Sequence, residues 1–259
     1  MTDHDVPLPA QKEGLEEEGF DRARRRFLGG VAAVTLTLAP GVTLLARTLS
    51  VTQPGSTAKT PVRYGLLIDA NQCQSGCNAC VSACQDYNGL SKEDGPDNAQ
   101  WIRKVSVTDP KTGFTKSFPV MCQHCAKPAC VAVCPTGASF RRKDGIVLVD
   151  KHRCIGCRYC LMACPYKARS FVAHTITDQK PWAPRGKGSA EGCTLCVERV
   201  DAGQVPACVA ACTATGQKAM LFGNLHDPKS VIAQRLAHYA TVTIRADLGM
   251  EPGVHYRGI

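Results

Sequence analysis

Cys154-Ile155-Gly156-Cys157-Arg158-Tyr159-Cys160-Leu161-Met162-Ala163-Cys164-Pro165 sets four cysteines at gaps of two, two and three residues. Two-residue gaps let a tight loop turn three sulfurs toward one four-iron cubane. The fourth cysteine, one helical turn further on, points away toward a second cluster. Glycine at 156 suits a backbone that wraps closely around inorganic sulfide.

Working outward, three more groups of the same kind appear: Cys73/Cys77/Cys80/Cys84, Cys122/Cys125/Cys130/Cys134 and Cys193/Cys196/Cys208/Cys212. Together they use all 16 cysteines. Two other uses of dense cysteine compete with clusters. Eight disulfides would explain an even count, yet neighbouring Cys-x2-Cys thiols bridge each other poorly and disulfides need no such rhythm. Structural zinc would use pairs of Cys-x2-Cys arms and leave two cysteines of each group surplus. Four [4Fe–4S] clusters account for every one.

Composition agrees with a chain organised around such groups. Hydrophobic residues make up 44% but aromatics only 6%, which is low for a core held by large side chains. The formal charge of +9 treats each cysteine as neutral. Four oxidised cubanes at about −2 each would bring it to roughly +1. Much of the basic excess is therefore counter-charge, and no nucleic-acid partner is expected.

A repeated unit runs through the chain: short strand, cysteine loop, helical turn. Leu67-Ile68-Asp69 and Leu148-Val149-Asp150 each put an aspartate four residues before a first cysteine, Cys73 or Cys154. Ser117 to Val120 reads as a strand, and Ser139 to Val149 as a hairpin turning at Asp144-Gly145. Ala168 to Thr175 and Lys218 to Phe222 read as further strands. Asp227-Pro228 has the signature of a helix start, with the helix running to about Tyr239. Residues 85–116 and 177–192 are polar and rich in turn formers, and read as surface loops.

Residues 1–20 are acidic and polar. Arg24-Arg25 and Phe27-Leu28 then open an uncharged stretch to Ala46. That pattern resembles a twin-arginine (Tat) export signal, so 1–46 is expected to be a signal peptide or an uncleaved anchor helix, with 47–62 a linker. Clusters assembled in a reducing cytoplasm require a route that moves folded protein, since bare thiols would cross-link outside. The expected location is the periplasmic side of the cytoplasmic membrane.

The cysteine groups, with the long gap from Cys196 to Cys208, resemble the four-cluster, dicluster-repeat ferredoxins that serve as electron-transfer subunits of membrane oxidoreductases. The resemblance implies an α+β fold over 63–259: two interleaved bacterial-ferredoxin-like units with short β-hairpins and helices. The outer unit comes from 63–90 and 190–224, the inner from 117–176. It also implies ligand sets: Cys73, Cys77, Cys80 with Cys212; Cys193, Cys196, Cys208 with Cys84; Cys122, Cys125, Cys130 with Cys164; and Cys154, Cys157, Cys160 with Cys134. The widened Cys73–Cys77 loop, Glu191-Gly192-Cys193-Thr194-Leu195-Cys196, the signal, and the ending Leu248 to Tyr256 most resemble the exported iron–sulfur subunits of DsrMKJOP-type sulfur-metabolism complexes. The partners so implied are a quinone-interacting membrane subunit, a multihaem cytochrome c and other subunits of the complex. Relatives also include iron–sulfur subunits of polysulfide, tetrathionate and DMSO molybdopterin reductases.

Some departures and distractors remain. The first group has a three-residue gap whose bulge Gly76 makes feasible. Proline follows Cys134 and Cys164 but not Cys84 or Cys212, so the outer sites are expected to be less shielded. No expected cysteine is replaced, so no [3Fe–4S] centre is implied. His124 reads as a packing residue, and Arg141-Arg142-Lys143 as a solvated hairpin. Lys167 and Arg169 could raise a cluster's potential. Trp101 and Trp182 fall in expected loops, suited to local packing or to an interface. There is no serine–histidine–acid set and no phosphate loop, so no catalytic residue and no substrate site of its own are expected.

Overall fold

A computed structural model of the chain describes residues 61–91 and 98–259. The expected export signal and all but the last two residues of the expected linker lie outside them.

Strand β1 (Tyr64–Asp69) is buried along nearly its whole length because it is the middle of a three-stranded sheet. It pairs antiparallel with β8 (Met220–Asn224) and parallel with β9 (Val254–Arg257). An apolar Leu66-Leu67-Ile68 run suits a strand covered on both faces. Asp69 then turns the chain: its carboxylate accepts from the Asn71 N–H at 3.0 Å, while its own N–H donates to the Ala219 carbonyl at 2.8 Å. Asp150 repeats the device, accepting from His152 N at 2.9 Å and donating to Ala138 O at 2.8 Å. These side-chain turns are why an aspartate precedes the first and third cysteine loops.

The cysteine helices are short and pack in pairs. Helix α1 (Ala79–Asn88) lies on α5 (Ala207–Ala214), and α2 (Ala129–Ala132) on α3 (Tyr159–Ala163). Beside the second pair stands the hairpin of β4 (Ser139–Arg141) and β5 (Val147–Val149), turning through Asp144-Gly145 as expected. Helix α4 (Val197–Asp201) follows the fourth cysteine loop. The arrangement is mixed α+β with small sheets. Among the described residues no helix is long and apolar enough to cross a membrane.

Several elements depart from the sequence reading. The expected 85–116 loop contains the end of α1 and strand β2 (Ile102–Thr108), which pairs along its length with β3 (Thr115–Met121). Charges at Arg103 and Lys104 hid its β-branched residues, and only Ile102 is buried. Within Ala168–Thr175 only β6 (Ser170–Phe171) is strand, paired with β7 (Ala190–Glu191) in the other expected loop. Helix α6 (Val231–His238) is capped by Ser230, whose hydroxyl accepts from Ala233 N at 3.2 Å. Asp227 instead closes a turn ahead of it, accepting from Lys229 N.

The C-terminal segment is part of the core. Tyr256 is fully buried, edge-on to Phe118. Gly253 N donates to Gln123 O at 2.7 Å, and Ala126 N to Glu251 O at 2.9 Å, lacing the tail onto the second cysteine loop. Trp101 is buried in the same core. Trp182 stays half exposed and donates to the Tyr87 carbonyl at 3.0 Å, a local packing role.

Candidate iron–sulfur sites

In all four cysteine loops the residue before the second cysteine takes a left-handed backbone: Gly76 (φ 77°), His124 (φ 43°), Gly156 (φ 73°) and Leu195 (φ 58°). That conformation reverses the chain so that flanking sulfurs share one side. Glycine adopts it freely; for histidine and leucine it costs about 1–3 kcal/mol. Burial of both side chains and a hydrogen bond from Val147 N to His124 Nδ1 at 3.0 Å oppose that cost. Burial, with Arg169 and Arg63 nearby, lowers the His124 pKa to about 3, so the ring is a neutral packing element.

All sixteen cysteines are free thiols, and the fold gathers them across the sequence. In quartet I, burial pushes the Cys80 thiol up to about 11, and Cys73, Cys212 and Cys77 add to the shift. Quartet II, Cys84, Cys193, Cys196 and Cys208, lines one pocket with Trp101, Leu195 and Met121. Quartet III, Cys122, Cys125, Cys130 and Cys164, lines another, roofed in part by Met250 and Tyr166. In quartet IV, Cys160 is raised by burial with Cys154 and Cys134 among its neighbours, while Cys157 sits on the exposed turn of the same loop.

The quartets follow one another through shared neighbours. Cys208 of II and Cys80 of I lie in one buried cluster. Cys193 of II packs against Cys122 and Cys125 of III, and Cys160 of IV shares a buried cluster with Cys130 of III. The order along the molecule is I, II, III, IV, although II and III draw on four separate stretches of chain.

Shielding differs from the sequence expectation. Quartet II, from the outer unit, has three buried cysteines (Cys84, Cys196 and Cys208), as many as quartet III from the inner one (Cys122, Cys125 and Cys130). Cys157 of quartet IV is the exposed one. Proline after the cysteine does not decide this; covering by β2, Trp101 and the α1–α5 pair does.

The chemistry of the pockets fits four-iron clusters. Burial raises Cys122 to about 11 and Cys125 to about 12, and drives Cys84, Cys193 and Cys208 well above the ordinary thiol range. Such thiols are poor nucleophiles, and a bound iron is what would deprotonate them. Among the described residues no three donors converge tightly enough for a single ion; a cubane holds its four thiolates further apart. Donors are already aimed at the sulfurs. Ser139 N reaches Cys134 Sγ at 3.3 Å, Ala190 N reaches Cys154 Sγ at 3.4 Å, and Leu195 N reaches Cys193 Sγ at 3.4 Å.

Side chains without a cysteine-like signature also serve the sites. Asn88, buried at the end of α1, donates to Cys84 Sγ at 3.4 Å. Lys104, on the strand read as loop, donates to the carbonyls of Gln74 and Cys77 and so holds the widened first loop. Gly156 is tightly constrained: a Cβ there would lie 2.4 Å from the Gly188 carbonyl oxygen. Arg142 is spent internally, on Asp144 at 2.7 Å and Asp201 at 2.6 Å, which fits the hairpin reading of Arg141-Arg142-Lys143. Lys167 is exposed, whereas Arg169 is buried against Cys130.

Residues 114–225 match the family described as 4Fe-4S dicluster domain. The Hdr-like menaquinol oxidoreductase iron–sulfur subunit 1 of Archaeoglobus fulgidus is 36% identical over 264 residues, covering 90% of this chain and 97% of that protein. Protein NrfC of Escherichia coli is 36% identical over 235 residues, 90% of this chain and 94% of NrfC. A tetrathionate reductase subunit of Salmonella typhimurium is 34% identical over 249 residues, 93% of this chain and 90% of that protein. With its cysteine loops folded into these thiol-lined pockets, the chain belongs to the dicluster ferredoxin-type family of [4Fe–4S] iron–sulfur proteins.

Proposed function

We propose that this chain is an exported electron-transfer subunit, like DsrO of DsrMKJOP-type complexes, whose sixteen cysteines hold four [4Fe–4S] clusters in quartets I to IV. Bound clusters would supply one-electron redox chemistry, relaying electrons in series between a quinone-interacting membrane subunit and a multihaem cytochrome c. The observation that carries the reading is the unbroken succession of quartets: cysteines of each pack in one buried cluster with cysteines of the next. The chain's own work is to hold the thiolates, bury the middle of the series and leave its ends reachable. At the quartet IV end, Ile155 (68% exposed) and Met162 (74% exposed) flank the exposed Cys157, an apolar margin suited to protein docking. Similarity over nearly the whole length of a menaquinol oxidoreductase subunit supports the quinone-linked partner.

A second reading, the iron–sulfur subunit of a molybdopterin reductase, draws support from the similarity to the tetrathionate reductase protein. Anaerobic affinity purification of the chain from native membranes separates the two. An integral membrane subunit and a c-type cytochrome co-purifying supports the first; a molybdopterin-bearing subunit replaces it with the second. Export through the Tat route, proposed from Arg24-Arg25, predicts that a double Lys substitution there leaves cluster-loaded protein in the cytoplasm, as cell fractionation would detect.

A further inference from the structure

Arg169 is 9% exposed. Its Nη2 donates to Cys130 Sγ of quartet III at 3.5 Å and to Ser139 Oγ at 3.2 Å. Ser139 in turn donates its backbone N–H to Cys134 of quartet IV. Cys122 of quartet III lines the same pocket as the guanidinium. Arginine keeps its charge when buried, and a buried charge needs an opposite one. Among the described residues no nearby side chain other than a cysteine supplies it. Lys151 has the same sign, and Glu191 is held on both oxygens by Arg185. The anions that balance Arg169 must therefore be the thiolates of two different quartets and whatever they bind.

We propose that Arg169 is a shared counter-charge for quartets III and IV, raising the reduction potentials of the two clusters held there above that of quartet II. Quartet II has no comparable cation among the described residues. Its side-chain donor is the neutral Asn88, and Glu198 and Arg199 act on Cys196 with opposite signs. Positive charge beside a cluster stabilises the reduced form, so the series steps upward between II and III.

The inference rests on the four-cluster reading, which the iron and sulfide content of the wild-type protein tests separately. The test of Arg169 itself is an anaerobic potentiometric titration of the loaded protein followed by EPR, on wild type, Arg169→Gln and Arg169→Lys. In Arg169→Gln two of four midpoint potentials should fall, each by about tenfold in reduction constant, or ~59 mV for one electron. The other two should stay, and Arg169→Lys should recover most of the shift. Unmoved potentials, an equal shift of all four, or lysine behaving like glutamine overturns the proposal. Should Arg169→Gln load too little iron, Arg169→Lys and Ser139→Ala decide. Normal potentials in both support a charge effect. Iron loss in Arg169→Lys as well would make the residue one of assembly and overturn the idea.

Discussion

Gly156 shows how much a single missing side chain can decide. Its left-handed φ and the 2.4 Å approach of the Gly188 carbonyl leave no room for a methyl group. Gly156→Ala should strain the loop that carries Cys154 and Cys157. Iron analysis should then find about four atoms fewer per chain, the content of one cluster, with the other sites loaded. Glu191 is a different case, since it is fully buried and bound at 2.9 and 3.0 Å by Arg185. Glu191→Ala leaves that guanidinium buried without its partner and should cost about 3–5 kcal/mol. A lowered apparent melting temperature with faster iron release would register it. At this scale the sequence was legible where residue type and chemistry coincide: cysteine, and glycine at 76 and 156. It was not legible at His124 and Leu195, because nothing in those side chains announces a left-handed backbone. Only alignment of the four loops at the residue before the second cysteine reveals the shared turn.

Elements were read correctly where apolar residues cluster beside a cysteine group. Strands β1, β3, β5 and β8 and the Asp144-Gly145 hairpin all fall in that class. Strand β2 was missed because one face meets solvent and carries Arg103 and Lys104, so its alternation looked like loop polarity. Yet that strand brings Lys104 to the carbonyls of Gln74 and Cys77. Lys104→Met should therefore loosen the first loop selectively. An iron chelator under anaerobic conditions would strip about four iron atoms faster than in wild type, the rest leaving at unchanged rates; uniform loss would deny Lys104 that role. Strand β9 was missed for another reason. Its pairing with β1 spans almost the whole described chain, and no local pattern encodes a parallel partner that far away.

At the scale of the whole molecule, the grouping of cysteines was readable from spacing, but the quartets mix loops, and only the resemblance to a known family implied which fourth cysteine joins which three. The fold brings two of those sets together in pockets, the ones lined by quartets II and III. Shielding was misread, since it depends on β2, Trp101 and the C-terminal tail, none of which belongs to a cysteine motif. The measurement that tests the account most directly is the iron and acid-labile sulfide content of the full chain purified natively without exposure to air. Four filled quartets predict about sixteen of each per chain. Half that number or less, or zinc in place of iron, would contradict the account.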